Sequence, residues 1–210
     1  MAELFLNIAD ICPTTRALGP GLRAAIWVQG CPIGCKGCIA PEWIPIKPAH
    51  LLSPEDAGDR LLSNPVIEGI TISGGEPMLQ AEALTMMLRY IKTKKKFHII
   101  SFTGFRYETL LEWDRNRKVN EYLDEIDVLI DGPYIELLNK GQTFAGSANQ
   151  RILNLSGRSF PGNEDWGIRK MEYHLRERNI LAVGIPPVNW NRDPFTQQAI
   201  NRMAEVGGEK

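Results

Sequence analysis

Short runs of β-branched and aliphatic residues alternate with longer amphipathic runs from about residue 22 to 155, and this rhythm predicts the fold. Leu22 to Val28 is expected as a first strand, Ile67 to Ser73 as a second, Phe97 to Phe102 as a third and Asp127 to Asp131 as a fourth. Gln150 to Leu155 is a candidate fifth. Ser53-Pro54-Glu55-Asp56 has the chemistry of a helix start: a hydroxyl for a free amide, a proline where no amide is needed, then acids at the positive end. Between Ala81 and Lys92, the residues Leu84, Met87, Leu88 and Ile91 recur at three- and four-residue spacing, the stripe of a helix packed on a core. Tyr107 to about Asp124 is expected to be helical with a break.

Strand and helix in turn mean an α/β fold, a mostly parallel sheet with crossover helices. Ligands of such sheets bind beyond the carboxyl ends of the strands. After about residue 156 the rhythm is lost. Gly157 to Gly167 reads as a loop, Ile180 to Ile185 as an edge strand, and Asp193-Pro194 as the cap of a last helix carrying Phe195, Ile200 and Met203. The expected division is a core domain over residues 1–156 and a C-terminal extension over 157–210 that packs on it.

Composition adds mainly exclusions. A chain of 210 residues with 43% hydrophobic and 23% charged residues is an ordinary globular protein with one main core. The net charge of −1 gives no reason to expect nucleic acid or an anionic membrane as partner, and Lys94-Lys95-Lys96 reads as a solvated helix end. Residues 1–12 carry Glu3 and Asp10 and lack a secretory pattern, and no apolar run approaches the roughly 20 residues of a membrane span. The expected location is cytoplasmic, where clustered cysteines point to metal or catalysis rather than disulfides.

Three of the four cysteines form C-x3-C-x2-C in Cys31-Pro32-Ile33-Gly34-Cys35-Lys36-Gly37-Cys38, directly after the first strand. Three thiolates on one loop can take three corners of a four-iron cubane, leaving the fourth iron open for chemistry. Gly30, Gly34 and Gly37 free the backbone to wrap it. A structural zinc site completed by Cys12 or His50, and incidental buried thiols, are the competing readings. Cys12 is otherwise expected as a small buried hydrophobe, His98 as a core histidine, and His50 and His174 as surface residues. Gly74-Gly75-Glu76-Pro77 follows the second strand: a diglycine allows close approach, and carbonyls with a carboxylate suit a cationic amine. Ser101 and Thr103, at the end of the third strand, are hydroxyls placed for a ribose or for their own turn. Asp131 and Arg151 read equally as functional groups or as a buried ion pair.

The cysteine spacing resembles that of the radical S-adenosylmethionine superfamily. Upstream, Gly19-Pro20-Gly21-Leu22-Arg23, then Trp27, then Gly30-Cys31 resembles the signature of glycyl-radical-enzyme activating proteins. Gly37 before the third cysteine is similar to the activating proteins of anaerobic ribonucleotide reductase, as are Asp127-Val-Leu-Ile-Asp131-Gly132 and Gly146-Ser-Ala-Asn149-Gln150-Arg151-Ile152. The resemblance spans about residues 16 to 155. Ala40 stands where these activators commonly have asparagine, and the tail beyond Leu155 is longer than the ribonucleotide reductase activator requires. The resemblance implies a partial (β/α) barrel-like sheet and a [4Fe-4S] cluster on Cys31, Cys35 and Cys38 that cleaves S-adenosylmethionine to a 5′-deoxyadenosyl radical. It further implies that Gly74, Gly75 and Glu76 meet the methionyl amine and that backbone at Gly37 and Ile39 contacts adenine. The implied partners are a larger protein that receives a glycyl radical, or a peptide, and an external one-electron donor such as a flavodoxin or ferredoxin. A radical enzyme for a small molecule, and a non-catalytic iron–sulfur or zinc protein, are the alternatives.

Overall fold

The computed structural model describes residues 4–113, 118–141, 144–158, 169–177 and 179–188. Strands β1 (Leu6–Thr15), β2 (Arg23–Val28), β3 (His50–Leu52), β4 (Gly69–Gly74), β5 (His98–Phe102), β6 (Val128–Asp131) and β7 (Arg151–Asn154) form one sheet, in the order β3-β1-β2-β4-β5-β6-β7. Its centre, β2-β4-β5-β6, is parallel, while β1, β3 and β7 join antiparallel. The α/β reading therefore holds as a mixed sheet with a parallel heart. Among the described residues the sheet ends at β3 on one side and β7 on the other, with no pairing between them.

Helix α1 (Pro54–Leu61) begins as expected, with Ser53 Oγ accepting from the Asp56 amide at 3.1 Å. Helix α2 (Ala81–Lys94) buries Leu84, Met87, Leu88 and Ile91 completely. The expected break divides the next helical run into α3 (Tyr107–Glu112) and α4 (Val119–Asp124). Period-two alternation sorts the two faces of β2: Ala24, Ile26 and Val28 pack with the helices, whereas Ala25 and Trp27 pack on the other face. That second face carries the site.

The long strand β1 was outside the predicted pattern for a physical reason. Register shifts between Ile8 and Asp10 and between Cys12 and Thr15 break its alternation, and Pro13 sits within the second irregularity. The three-residue β3 is too short to carry a period. The expected edge strand over 180–185 appears as β9 (Ile180–Gly184), paired antiparallel with β8 (Met171–Leu175) in a separate hairpin. This hairpin is bonded to β1: the Glu172 carboxylate accepts from Thr15 Oγ1 at 2.6 Å and from the Arg16 amide at 2.8 Å, and Arg176 pairs with Asp10 at 2.8 Å. The helix expected after Asp193, and most of the loop from Gly157 to Gly167, lie outside the described residues. No helix among the described residues is long and apolar enough to cross a membrane.

At the amino ends of the parallel strands Arg23 is fully buried and acts as a staple. Its Nε donates to Thr71 Oγ1 at 2.7 Å, its Nη2 to the carbonyls of Ile70 and His98 at 2.7 Å, and its Nη1 to the Pro20 carbonyl at 3.1 Å. Burial lowers its pKa to about 9, with Asp127 and Glu68 opposing the shift. Gly69 is glycine because a Cβ there would lie 2.3 Å from Nη1. Arg23→Met keeps the stem but strands these buried acceptors, so we expect a loss of about 3 kcal/mol of stability, read by anaerobic denaturant titration.

Candidate active site

Four loops converge at the carboxyl ends of β2, β4, β5 and β6. Together with the segment after β9 they enclose a cavity of about 440 Å³, within the usual range for a small-molecule site. Cys31, Cys35 and Cys38 are half-buried in its wall, with Gly37 and Ile39 beside them. Positive φ values of 60° at Gly34 and 75° at Gly37 let the loop turn back between the cysteines. The loop is tied down by its backbone: the Gly30 amide donates to the Trp43 carbonyl and the Cys31 amide to that of Ile44, both at 2.9 Å.

Gly74, Gly75 and Glu76 line the same cavity, but the close approach that the diglycine permits is first to the chain itself. A Cβ at Gly74 would lie 2.4 Å from Val28 N, and one at Gly75 2.2 Å from the Gly30 carbonyl oxygen. The Gly75 amide bonds the Val28 carbonyl at 2.7 Å and the Glu76 amide bonds that of Gly30 at 2.8 Å. The end of β4 thus fixes the residue immediately before Cys31.

The Glu76 side chain has no solvent exposure. Its Oε1 accepts from the Met78 amide at 3.0 Å and Thr103 Oγ1 at 2.8 Å, and its Oε2 from the Gly104 amide at 2.8 Å. Burial raises its pKa to about 7 against the pull of those three donors. Thr103 therefore faces the cavity and belongs to this clamp. Ser101 is not brought to the site: its buried hydroxyl pairs with Tyr122 Oη at 2.8 Å on the helix side. Asp131 and Arg151 form an ion pair that also engages Glu108 and the Tyr107 amide.

Cys12 is buried in β1, with its thiol donating to the Thr14 carbonyl at 3.1 Å and lying 3.6 Å from His174 Nε2. It contributes nothing to the three-cysteine loop, and a zinc site completed by it is not formed. His98 is buried in β5, as expected of a core histidine. Among the described residues no three His, Cys, Asp or Glu side chains gather around one point as a single ion requires. Burial raises the pKa of Cys35 and Cys38, and the Tyr134 and Ala40 backbone amides bonded to them act in the opposite sense. Half-buried thiols, two of them met by amide donors, suit a cationic iron cluster that takes them as thiolates.

A family model described as a 4Fe-4S single cluster domain matches residues 17–153 of this chain. The chain belongs to that family. The anaerobic ribonucleoside-triphosphate reductase-activating protein of Vibrio cholerae is 32% identical over 158 residues, covering 70% of this chain and 97% of that protein. The protein of the same name from Enterobacteria phage T4 is 28% identical, covering 70% of this chain and 93% of its own. A pyruvate formate-lyase-activating enzyme from Staphylococcus epidermidis is 34% identical over 80% of this chain and 64% of that enzyme. This single-cluster protein is a radical S-adenosylmethionine enzyme, and its cofactors are a [4Fe-4S] cluster and S-adenosylmethionine.

Several parts of the wall escaped sequence reasoning. Tyr134, Glu136 and Asn139 lie in the loop after β6, the same rim as the other motifs, so the strand-end rule extended by one strand would have found them. The Trp43 ring lies tilted against that of Trp27, with centroids 5.7 Å apart, and Arg169 joins the wall from a stretch without periodicity.

The Glu76 shift has a definite sign. Its folded pKa of about 7 lies above the ordinary 4.5, so folding takes up a proton in that window and stability falls as pH rises through it. Glu76→Gln lacks this slope. Between pH 5 and 7.5 its stability relative to the parent should rise by about 2–3 kcal/mol in denaturant titrations of the cluster-free chain.

Proposed function

We propose that the protein cleaves S-adenosylmethionine reductively and uses the resulting radical to install a glycyl radical on a larger partner enzyme, such as an anaerobic ribonucleotide reductase. One observation carries this reading: three thiols, a diglycine backbone and a buried carboxylate line a single chamber at one sheet rim. Cys31, Cys35 and Cys38 would each hold one iron and leave the fourth open to the methionyl amine and carboxylate. Gly74 and Gly75 offer backbone to the amine, and Glu76 gains the cation that its burial lacks. Gly37 and Ile39, which line the cavity, would contact adenine through their backbone, and Thr103 would bond the ribose. Ser101, turned to Tyr122, has no part.

When bound, the reduced cluster and S-adenosylmethionine supply a 5′-deoxyadenosyl radical. The chain's task is to hold the sulfonium in line and keep water out, which its apolar walls at Trp27, Trp43, Ile185 and Pro186 serve. We read the open sheet as a partial barrel around this chamber, with residues 1–156 as the core and 157–210 as a C-terminal extension, of which the described hairpin of β8 and β9 packs on the core. An external flavodoxin or ferredoxin would deliver the electron, in a cytoplasm reducing enough to preserve the cluster. The support for the partner comes from the relatives, which are named as activators of anaerobic ribonucleoside-triphosphate reductase and of pyruvate formate-lyase. A second reading, a small-molecule or peptide substrate, is favoured by the wall that Arg169 and the segment after β9 add.

Anaerobically reconstituted protein with a strong reductant should release 5′-deoxyadenosine and methionine in equal amounts. Cys35→Ala should lose both the cluster absorbance and the products. No cleavage by a chain that holds its full iron complement would overturn the proposal. A glycyl-radical resonance on a co-purified large protein would select the first target, and its absence beside a consumed metabolite would select the second.

A further inference from the structure

The motif Gly146-Ser-Ala-Asn149-Gln150 has no role in the chemistry above, yet the side chains of Ser147, Asn149 and Gln150 bond to the loop after β6 and to the motif itself, and Gly146 and Gln150 reach the cavity wall. Asn149 Nδ2 donates to the Pro133 carbonyl at 2.7 Å, and Gln150 Nε2 to the Gly132 carbonyl at 2.8 Å. Ser147 Oγ accepts from the Ile135 amide at 3.1 Å and donates to Asn149 Oδ1 at 2.7 Å. Gln150 Oε1 accepts from the Ser147 amide at 3.2 Å, which closes the motif on itself. Ser147 is fully buried, so this is a built support rather than a surface accident. Gly146 lies under the Tyr134 ring, where a Cβ would come within 3.2 Å of Cδ2.

The supported residues are Gly132, Pro133 and Ile135, which bracket Tyr134. Tyr134 and Cys35 line the same cavity, and a hydrogen bond from the Tyr134 backbone to the Cys35 thiol opposes the effect of burial on that thiol. An amide directed at a cluster thiolate stabilises the more negative, reduced state and raises the reduction potential. We infer that Asn149 and Gln150 are positioning residues that hold the Tyr134 amide on Cys35 and thereby set the potential of the cluster. The inference rests on the reading that Cys35 is a cluster ligand, and it concerns the one-electron couple filled by the external donor, with no proton transferred.

The test uses the full reconstituted chain, titrated anaerobically with dithionite and followed by electron paramagnetic resonance. Gln150→Ala and Asn149→Ala, each with unchanged iron content, should lower the potential. At a fixed poise the ratio of reduced to oxidised cluster should fall roughly tenfold, about 59 mV for a one-electron couple. Arg23→Met, destabilised at the far end of the strands, should leave the potential unchanged. Selective 15N-tyrosine labelling gives a second readout that needs no variant. Of the chain's five tyrosines only Tyr134 lines the cavity, so a 15N hyperfine coupling on the reduced cluster should be present in the parent chain and diminished in the variants. Absence of that coupling in the parent, or variants with full iron and an unshifted potential, overturns the inference. A parent chain with no cluster signal at all would instead overturn the assignment of Cys35.

Discussion

Two stretches of backbone meet at the head of the sheet, and nothing larger than a hydrogen atom fits between them. The turn after β4 presses Gly74 and Gly75 against Val28 and Gly30, and two amide–carbonyl bonds hold the contact. Since Gly30 precedes Cys31, the position of all three thiols follows from this contact. Side chains at 74 or 75 would push the cysteine loop away, whatever ligand the site receives. The diglycine therefore has two employments, one within the fold and one facing the chamber.

Charge is buried at both ends of the parallel strands, in opposite senses. Arg23 at the amino ends spends its donors on main-chain carbonyls and a threonine, with no carboxylate bonded to it among the described residues. It acts as a seam between β2, β4 and β5. Glu76 at the carboxyl ends accepts from two amides and a hydroxyl, joining the turn after β4 to the turn after β5. The first charge closes the floor of the sheet. The second lies beside a cavity large enough to bring it a counter-ion, and this difference makes one structural and the other available to chemistry.

What could be read from the sequence was whatever local chemistry dictates. Ser53-Pro54 capping and the Leu84 to Ile91 stripe depend on neighbours a few residues away, and each holds a place in the structure as expected. The placement of Gly74 to Glu76 and Thr103 on one rim followed from strand-end logic. What stayed hidden depends on partners distant along the chain. Ser101 and Thr103 are two residues apart and look equivalent, yet strand alternation sends one to Tyr122 and the other to Glu76. The bulges of β1 erase its period, and Arg169 reaches Asn139, Ala145 and Gly146 across segments no window would link.

The hairpin of β8 and β9 looks peripheral in the strand order, since it pairs with nothing in the main sheet. Its side chains say otherwise. Leu181 and Val183 pack on Leu18, Ala25 and Trp27, and the segment that leaves β9 continues into the chamber wall. Removing the hairpin would leave an open dish in place of a chamber, its tryptophan floor wetted. Under the proposed function, a carbon-centred radical formed in such a dish would lie open to hydrogen donors from solvent, and the hairpin's grip on β1 would shelter it.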